Sequence, residues 1–129
     1  MLFRSAEHFA LGRELAKLRE LGVLIVGSGN IVHNLRAMRL NGPAGQTYDW
    51  AKEFDAVIAD HVAQGRLNAL PDFQKLGQVA QMAHPTFEHY LPLLYAAGAA
   101  DNGATKDAPR FFNTDFQGAS ISMRSVIWS

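Results

Sequence analysis

The sequence predicts an α/β fold, with helices packed on a short mixed sheet in a single domain covering residues 1–129. Three observations carry that prediction. Apolar residues recur at helical spacing after Ser5, as Phe9, Leu11, Leu15, Leu18 and Leu21. The run Gly22-Val-Leu-Ile-Val26 is short, apolar and rich in β-branched side chains, which reads as a strand buried on both faces. The closing stretch carries Phe111, Phe112, Phe116, Ile121, Met123, Val126 and Ile127 around Gly118, the pattern of one or two further strands.

Taken in order, Met1–Ser5 leaves Leu2 and Phe3 in need of cover. Ser5 is placed to cap the first helix, with Glu7 in its first turn and Arg13, Glu14, Lys17, Arg19 and Glu20 on its outer faces. Gly22 ends that helix and opens the strand, which has no neighbouring strand upstream in this chain. Gly27-Ser-Gly-Asn30 breaks the strand, and Ile31–Met38 fits a short helical segment. Asn41–Gly45 is a loop by composition. Thr47 can cap a second helix whose stripe is Trp50, Phe54, Val57, Ile58 and Val62, ended by Gly65. Pro71 punctuates a connection from Leu67 to Phe73, and Asp72 can cap a shorter helix reaching about Met82. Thr86 can cap another, with Glu88 and His89 early in it, Leu91, Leu94, Tyr95 and Ala97 facing inward, and Gly98 as its stop. Asp101–Pro109 is polar and turn-rich, the composition of a surface loop.

Composition narrows the classes of function. The chain has 129 residues, 48% of them hydrophobic, enough for one domain with a core. Lysine plus arginine equals aspartate plus glutamate at 12 each, so no net field draws in nucleic acid or an anionic membrane. The absence of cysteine excludes disulfides and thiolate metal sites and suits a reducing cytoplasm. No apolar run reaches membrane-spanning length.

Five histidines remain as candidate chemistry. His8 and His61 are expected to face solvent. His84 precedes Pro85, so its backbone is biased to extended geometry, and it either caps the next turn or touches a ligand. His33 follows the glycine turn at the strand end, and His89 lies near a helix start. Ligands gather beyond the carboxyl ends of strands in open α/β sheets. Each ring alone reads as a structural histidine; together they invite a metal or acid–base site. Two imidazoles fall short of the three protein ligands usual in a catalytic metal site, and Glu88, if helical, points about 100° away from His89. The glycine turn has a second reading, a phosphate cradle built from the N–H groups of Gly29 and Asn30. It lacks both the G-x-G-x-x-G spacing and a Walker lysine.

GVLIVGSGNIVHNLR, HPTFEHYLPLLYAAGA and SISMRSVIW, preceded by HFALGRELAKLRELG, together resemble the C-terminal half of the DOPA-dioxygenase type within the class III (LigB-like) extradiol ring-cleavage family. The resemblance runs from Glu7 to Trp128. It implies an α/β fold that binds one non-haem Fe(II), with Zn in its place in some preparations, and that opens a catechol ring with O₂. It implies that His33 is an acid–base group beside the metal or one of its ligands. It implies that His89, in the H-P-x-x-E-H-Y-x-P motif, is a metal ligand. Family members carry further ligand histidines in an N-terminal half, and His8 cannot replace them by position. The chain is therefore expected to act as the C-terminal half of such an enzyme, incomplete alone. It is expected to associate with itself or with a missing N-terminal half. The alternatives are a non-catalytic fragment, an oligomerising or regulatory remnant, and an anion-binding α/β domain.

Overall fold

A computed structural model describes residues 4–40, 46–101 and 108–129. Helix α1 (Ser5–Glu20) packs along helix α4 (Leu91–Asp101), and both do so through small residues. A Cβ on Gly12 would stand 2.5 Å from the Tyr95 carbonyl oxygen, and one on Gly98 would meet the Phe9 carbonyl well inside 3.0 Å. Only glycine lets the two backbones approach this closely. This corrects two expectations. Gly98 does not stop α4; it lies buried inside it. The leucine stripe of α1 is not its packing face: Phe9, Gly12 and Ala16 are buried, while Leu11, Leu18 and Leu21 are exposed. Gly22, at φ +80°, does terminate α1. The helix begins one residue earlier than expected at its cap, where the Arg4 N–H donates to the Glu7 carboxylate at 2.9 Å.

Helix α2 (Asp49–Ala63) buries Phe54, Ile58 and Val62 as its spacing requires, and Gly65 follows it at φ +71°. Tyr48 occupies its N-cap position, so Thr47 is not the cap. A 3₁₀ stretch, Leu67–Leu76, runs through Pro71 and bends at Asp72, and helix α3 (Gln78–Ala83) starts only after Gly77. The core is aromatic. Phe54, Phe73, His84 and Tyr90 meet mostly edge-to-face, and the fully buried Tyr90 hydroxyl donates to the Leu70 carbonyl at 2.8 Å.

The strands form two antiparallel pairs. β1 (Pro109–Phe112) lies against β4 (Ser125–Trp128), with Phe111 opposite Val126. β2 (Phe116–Gln117) and β3 (Ile121–Ser122) form a hairpin around Gly118 and Ala119, both at positive φ. The α/β class and single domain hold. The opening run behaves differently from expectation. Residues 23–30 form no regular secondary structure and pair with no strand, and Val23, Leu24 and Val26 are 44%, 78% and 75% exposed. Its sequence is that of an interior strand, but no strand among the described residues lies beside it. Among those residues no helix is long and apolar enough to cross a membrane. The loop expected at 41–45, residues 102–107 and the first three residues lie outside the described residues.

Candidate active site

The glycine turn carries its histidine to a fixed place by backbone contacts. A Cβ on Gly29 would collide with the His89 carbonyl oxygen, so the turn rests directly on that backbone. The Asn30 N–H donates to the same carbonyl at 2.8 Å. Past the turn, Val32 accepts from the Ser122 N–H at 3.1 Å and the Asn34 N–H donates to the Ser120 carbonyl at 3.3 Å, so His33 bridges Ile121 at the edge of β3. On its other side the His33 N–H donates to the Ala83 carbonyl at 2.9 Å. Asn34 locks the exit: its amide donates to the Met82 carbonyl at 2.7 Å and its side-chain oxygen accepts from the Ala37 N–H at 3.1 Å. The helical segment expected over Ile31–Met38 shrinks to Leu35–Ala37, because Val32, His33 and Asn34 commit their backbone groups to Ser122, Ala83 and Ser120.

This framework stacks the two sequence-selected histidines. The rings of His33 and His89 lie 3.5 Å apart between centroids, with planes only 8° from parallel. Burial, and then the neighbouring His89, lower the His33 pKa below the ordinary imidazole value of 6.5. The ring is therefore neutral at pH 7 and offers a lone pair. Glu88 lies outside any helix, since α4 starts at Leu91, and its carboxylate comes to 4.0 Å from His89 Nδ1. The Thr86 hydroxyl donates to that carboxylate at 2.7 Å and holds its pKa below the usual range.

The other histidines sort apart from this pair. His84 is buried in the aromatic core, its Nε2–H donates to the Ile31 carbonyl at 2.6 Å, and burial pushes its pKa down to about 4. It is a structural residue under the His33 strand. His8 does not face solvent freely; its Nδ1 shares a 2.7 Å hydrogen bond with the Tyr95 hydroxyl across α1 and α4. His61 is half-buried and accepts from Arg66 Nε at 3.3 Å.

One polar cluster had no motif to announce it. Asp55 accepts from Arg124 Nε at 3.1 and 3.2 Å, from Arg124 Nη2 at 2.9 Å and from the Ser122 hydroxyl at 2.6 Å. The guanidinium also lies over the Phe111 ring, 4.9 Å from its centroid. This cluster ties α2 to β3, the strand that seats Val32 and His33. A signal did exist: Asp55 shares a helix face with the buried Ala51, Ile58 and Val62, and a carboxylate on such a face requires a partner.

Imidazole nitrogens suit Fe(II) and Zn(II) alike, so the donor chemistry of the stacked pair fits the metal that the resemblance implies. The pair is part of a shell only: among the described residues no group of three histidine, cysteine, aspartate or glutamate side chains converges on one point. The phosphate-cradle reading loses one of its two donors, because the Asn30 N–H is already committed to His89.

Residues 2–120 match the family described as the catalytic LigB subunit of aromatic ring-opening dioxygenase. A 4,5-DOPA dioxygenase extradiol from Escherichia coli K12 is 41% identical over 99 residues, which is 75% of this chain and 36% of that protein. A 4,5-DOPA dioxygenase extradiol from Portulaca grandiflora is 38% identical over 103 residues, 74% of this chain and 35% of that protein. The crystal structure of an uncharacterized Escherichia coli K12 protein superposes with a TM-score of 0.84 at 35% identity, covering 96% of this chain and 50% of the other. The chain thus spans little more than a third of the curated relatives it matches and half of the solved structure. With His33 and His89 stacked at the glycine turn and the family pattern matched from residue 2 to residue 120, the chain belongs to the LigB family of aromatic ring-opening dioxygenases.

Proposed function

We propose that this chain supplies the His33–His89 half of a metal-dependent extradiol dioxygenase that opens a catechol-type ring with O₂. The observation that carries the reading is the stack itself: two histidines 56 residues apart in sequence, held ring to ring by backbone contacts at Gly29, Asn30 and Ala83. His89 would hold the metal, Fe(II) in the working enzyme or Zn(II) in its place. When bound, that ion supplies Lewis acidity toward the catechol oxygens and redox access to O₂. His33, neutral at pH 7, takes a proton from a catechol hydroxyl as general base and holds it for return during ring opening. Its fixed backbone keeps the ring in place for both transfers.

The remaining ligands come from outside the described residues, contributed either by a second copy of the chain or by an N-terminal half. The chain by itself is therefore expected to bind metal weakly and to give no ring-opened product. The test is a titration of Zn(II) into the chain, followed by NMR of the imidazole nitrogens. His33 and His89 should move together, and His89→Ala should abolish the movement of His33. If neither ring responds at millimolar Zn(II), the chain is better read as a non-catalytic remnant of the family.

A further inference from the structure

An asparagine in a glycine turn ordinarily bonds to its own neighbouring backbone. Asn30 instead sends its side-chain amide across the fold: Nδ2 donates to the Ser122 carbonyl at 3.0 Å, 92 residues further along the chain. Its backbone N–H donates at the same time to the His89 carbonyl at 2.8 Å. Ser122 is buried and commits every polar group it has. Its N–H donates to the Val32 carbonyl at 3.1 Å, its carbonyl accepts from Asn30, and its hydroxyl donates to Asp55 at 2.6 Å. Arg124 fixes Asp55 in turn through both carboxylate oxygens. Ser122 is therefore a fork. One branch runs through Val32 to His33, the other through the Asn30 amide to His89, and the ring stack at 3.5 Å joins their far ends. The segment that carries His89 has no regular structure between α3 and α4. The His33 N–H holds its start at Ala83, and Asn30 holds it at His89 itself.

We propose that the Asn30 side chain is a positioning residue for the His33–His89 pair: its amide registers the His89 backbone against the same Ser122 that seats His33. This rests on the reading of the pair as acid–base group and metal ligand, and deepens it by naming what sets their separation. The role needs a donor. Aspartate has the same shape as asparagine, but its carboxylate only accepts and would face the Ser122 carbonyl oxygen. The Asn30 amide touches neither ring, so it acts through backbone placement alone. Groups that orient a metal ligand from behind are worth about 10–100-fold in metal affinity, and a misplacement of about 1 Å near reacting groups costs on the order of 100-fold in rate.

The test compares the full chain with Asn30→Ala and Asn30→Asp. Tyr95→Phe is the control, since it removes a hydrogen bond of the same partly buried kind, the 2.7 Å one to His8, outside the fork. Urea unfolding reads stability. The nuclear Overhauser contact between the His33 and His89 ring protons, measured without metal, reads the stack. The Zn(II) concentration at which the imidazole nitrogens respond reads the site. Both Asn30 variants should fold, lose the ring contact and need roughly 10-fold more Zn(II). Tyr95→Phe should lose comparable stability and keep the ring contact and the Zn(II) response. If only one Asn30 variant folds, that one carries the test. A ring contact that persists in a folded Asn30 variant overturns the proposal. So does its loss in Tyr95→Phe, which would make the stack a readout of stability alone. Unfolding of both Asn30 variants would make Asn30 a folding residue and overturns the proposal too. A native chain whose imidazoles ignore Zn(II) would instead sink the metal reading, while loss of the ring contact in the Asn30 variants would still bear out the positioning.

Discussion

Gly29→Ala probes how His89 is seated. In the native chain the Gly29 Cα rests on the His89 carbonyl, and an alanine Cβ would lie well inside 3.0 Å of that oxygen, where ordinary contact begins at 3.4 Å. The two backbones must part by about an ångström. That separation also stretches the 2.8 Å bond from the Asn30 N–H to the same oxygen. Overpacking of this kind costs ~1–3 kcal/mol and a lost backbone hydrogen bond ~1 kcal/mol more. A total of roughly 3 kcal/mol corresponds to a fall in Tm on the order of 10 °C for a chain of this size. Thermal unfolding by circular dichroism reads the stability, and the nuclear Overhauser contact between the His33 and His89 ring protons reads the stack. Gly22→Ala is the control. Its new Cβ meets nothing within 4 Å, so only its left-handed backbone is strained, at about 1 kcal/mol, and the ring contact should survive. A Gly29→Ala chain that kept its Tm within 2 °C and its ring contact would refute the claim that this close approach positions His89.

Three further outcomes follow from the same structure. Asp55→Ala strands the Arg124 guanidinium and the Ser122 hydroxyl; because Arg124 keeps 19% side-chain exposure, the loss should be about 2–3 kcal/mol rather than the ~3–5 of a fully buried pair, read by urea unfolding. His84 stays neutral when folded down to about pH 4, whereas an unfolded imidazole takes its proton near pH 6.5, so stability is full above pH 6.5 and is lost as pH falls toward 4. Urea unfolding at pH 7 and pH 5 should show His84 accounting for about 2 kcal/mol of the difference, a share that vanishes in His84→Gln. Tyr90→Phe leaves the Leu70 carbonyl without its donor inside the core and should cost ~1–2 kcal/mol in the same assay.

The parts of the chain governed by local rules were legible. Helix α2 follows its stripe, Gly22 and Gly65 stop their helices, and the closing aromatic stretch forms strands. Errors arose where tertiary contact overrode local preference. Gly98 reads as a helix stop until α1 packs against it, and the leucines of α1 read as a core face until Gly12 and Ala16 take that role. Val23–Val26 reads as an interior strand because composition reports the burial a segment is suited for, whereas Val23, Leu24 and Val26 stay exposed and the run pairs with no strand among the described residues. His33 and His89 were selected from their positions beside a turn and a helix start, but their ring-to-ring contact depends on the Asn30–His89 bond, which no local pattern encodes. Asp55 was readable as a carboxylate on an apolar face, yet its partner Arg124 lies 69 residues away and only the fold joins them.

Ring opening is read by a colour test on this chain fused, through a flexible linker at its N-terminus, to the N-terminal region of the Escherichia coli 4,5-DOPA dioxygenase extradiol. The protein is loaded with Fe(II) under anaerobic conditions, then given a catechol and air. A yellow ring-opened product is expected from the fusion and none from the chain alone, with a loss of at least about 100-fold in rate on His33→Ala, the size expected for a positioned acid–base group. Product formed at an undiminished rate by the His33→Ala fusion would contradict that role.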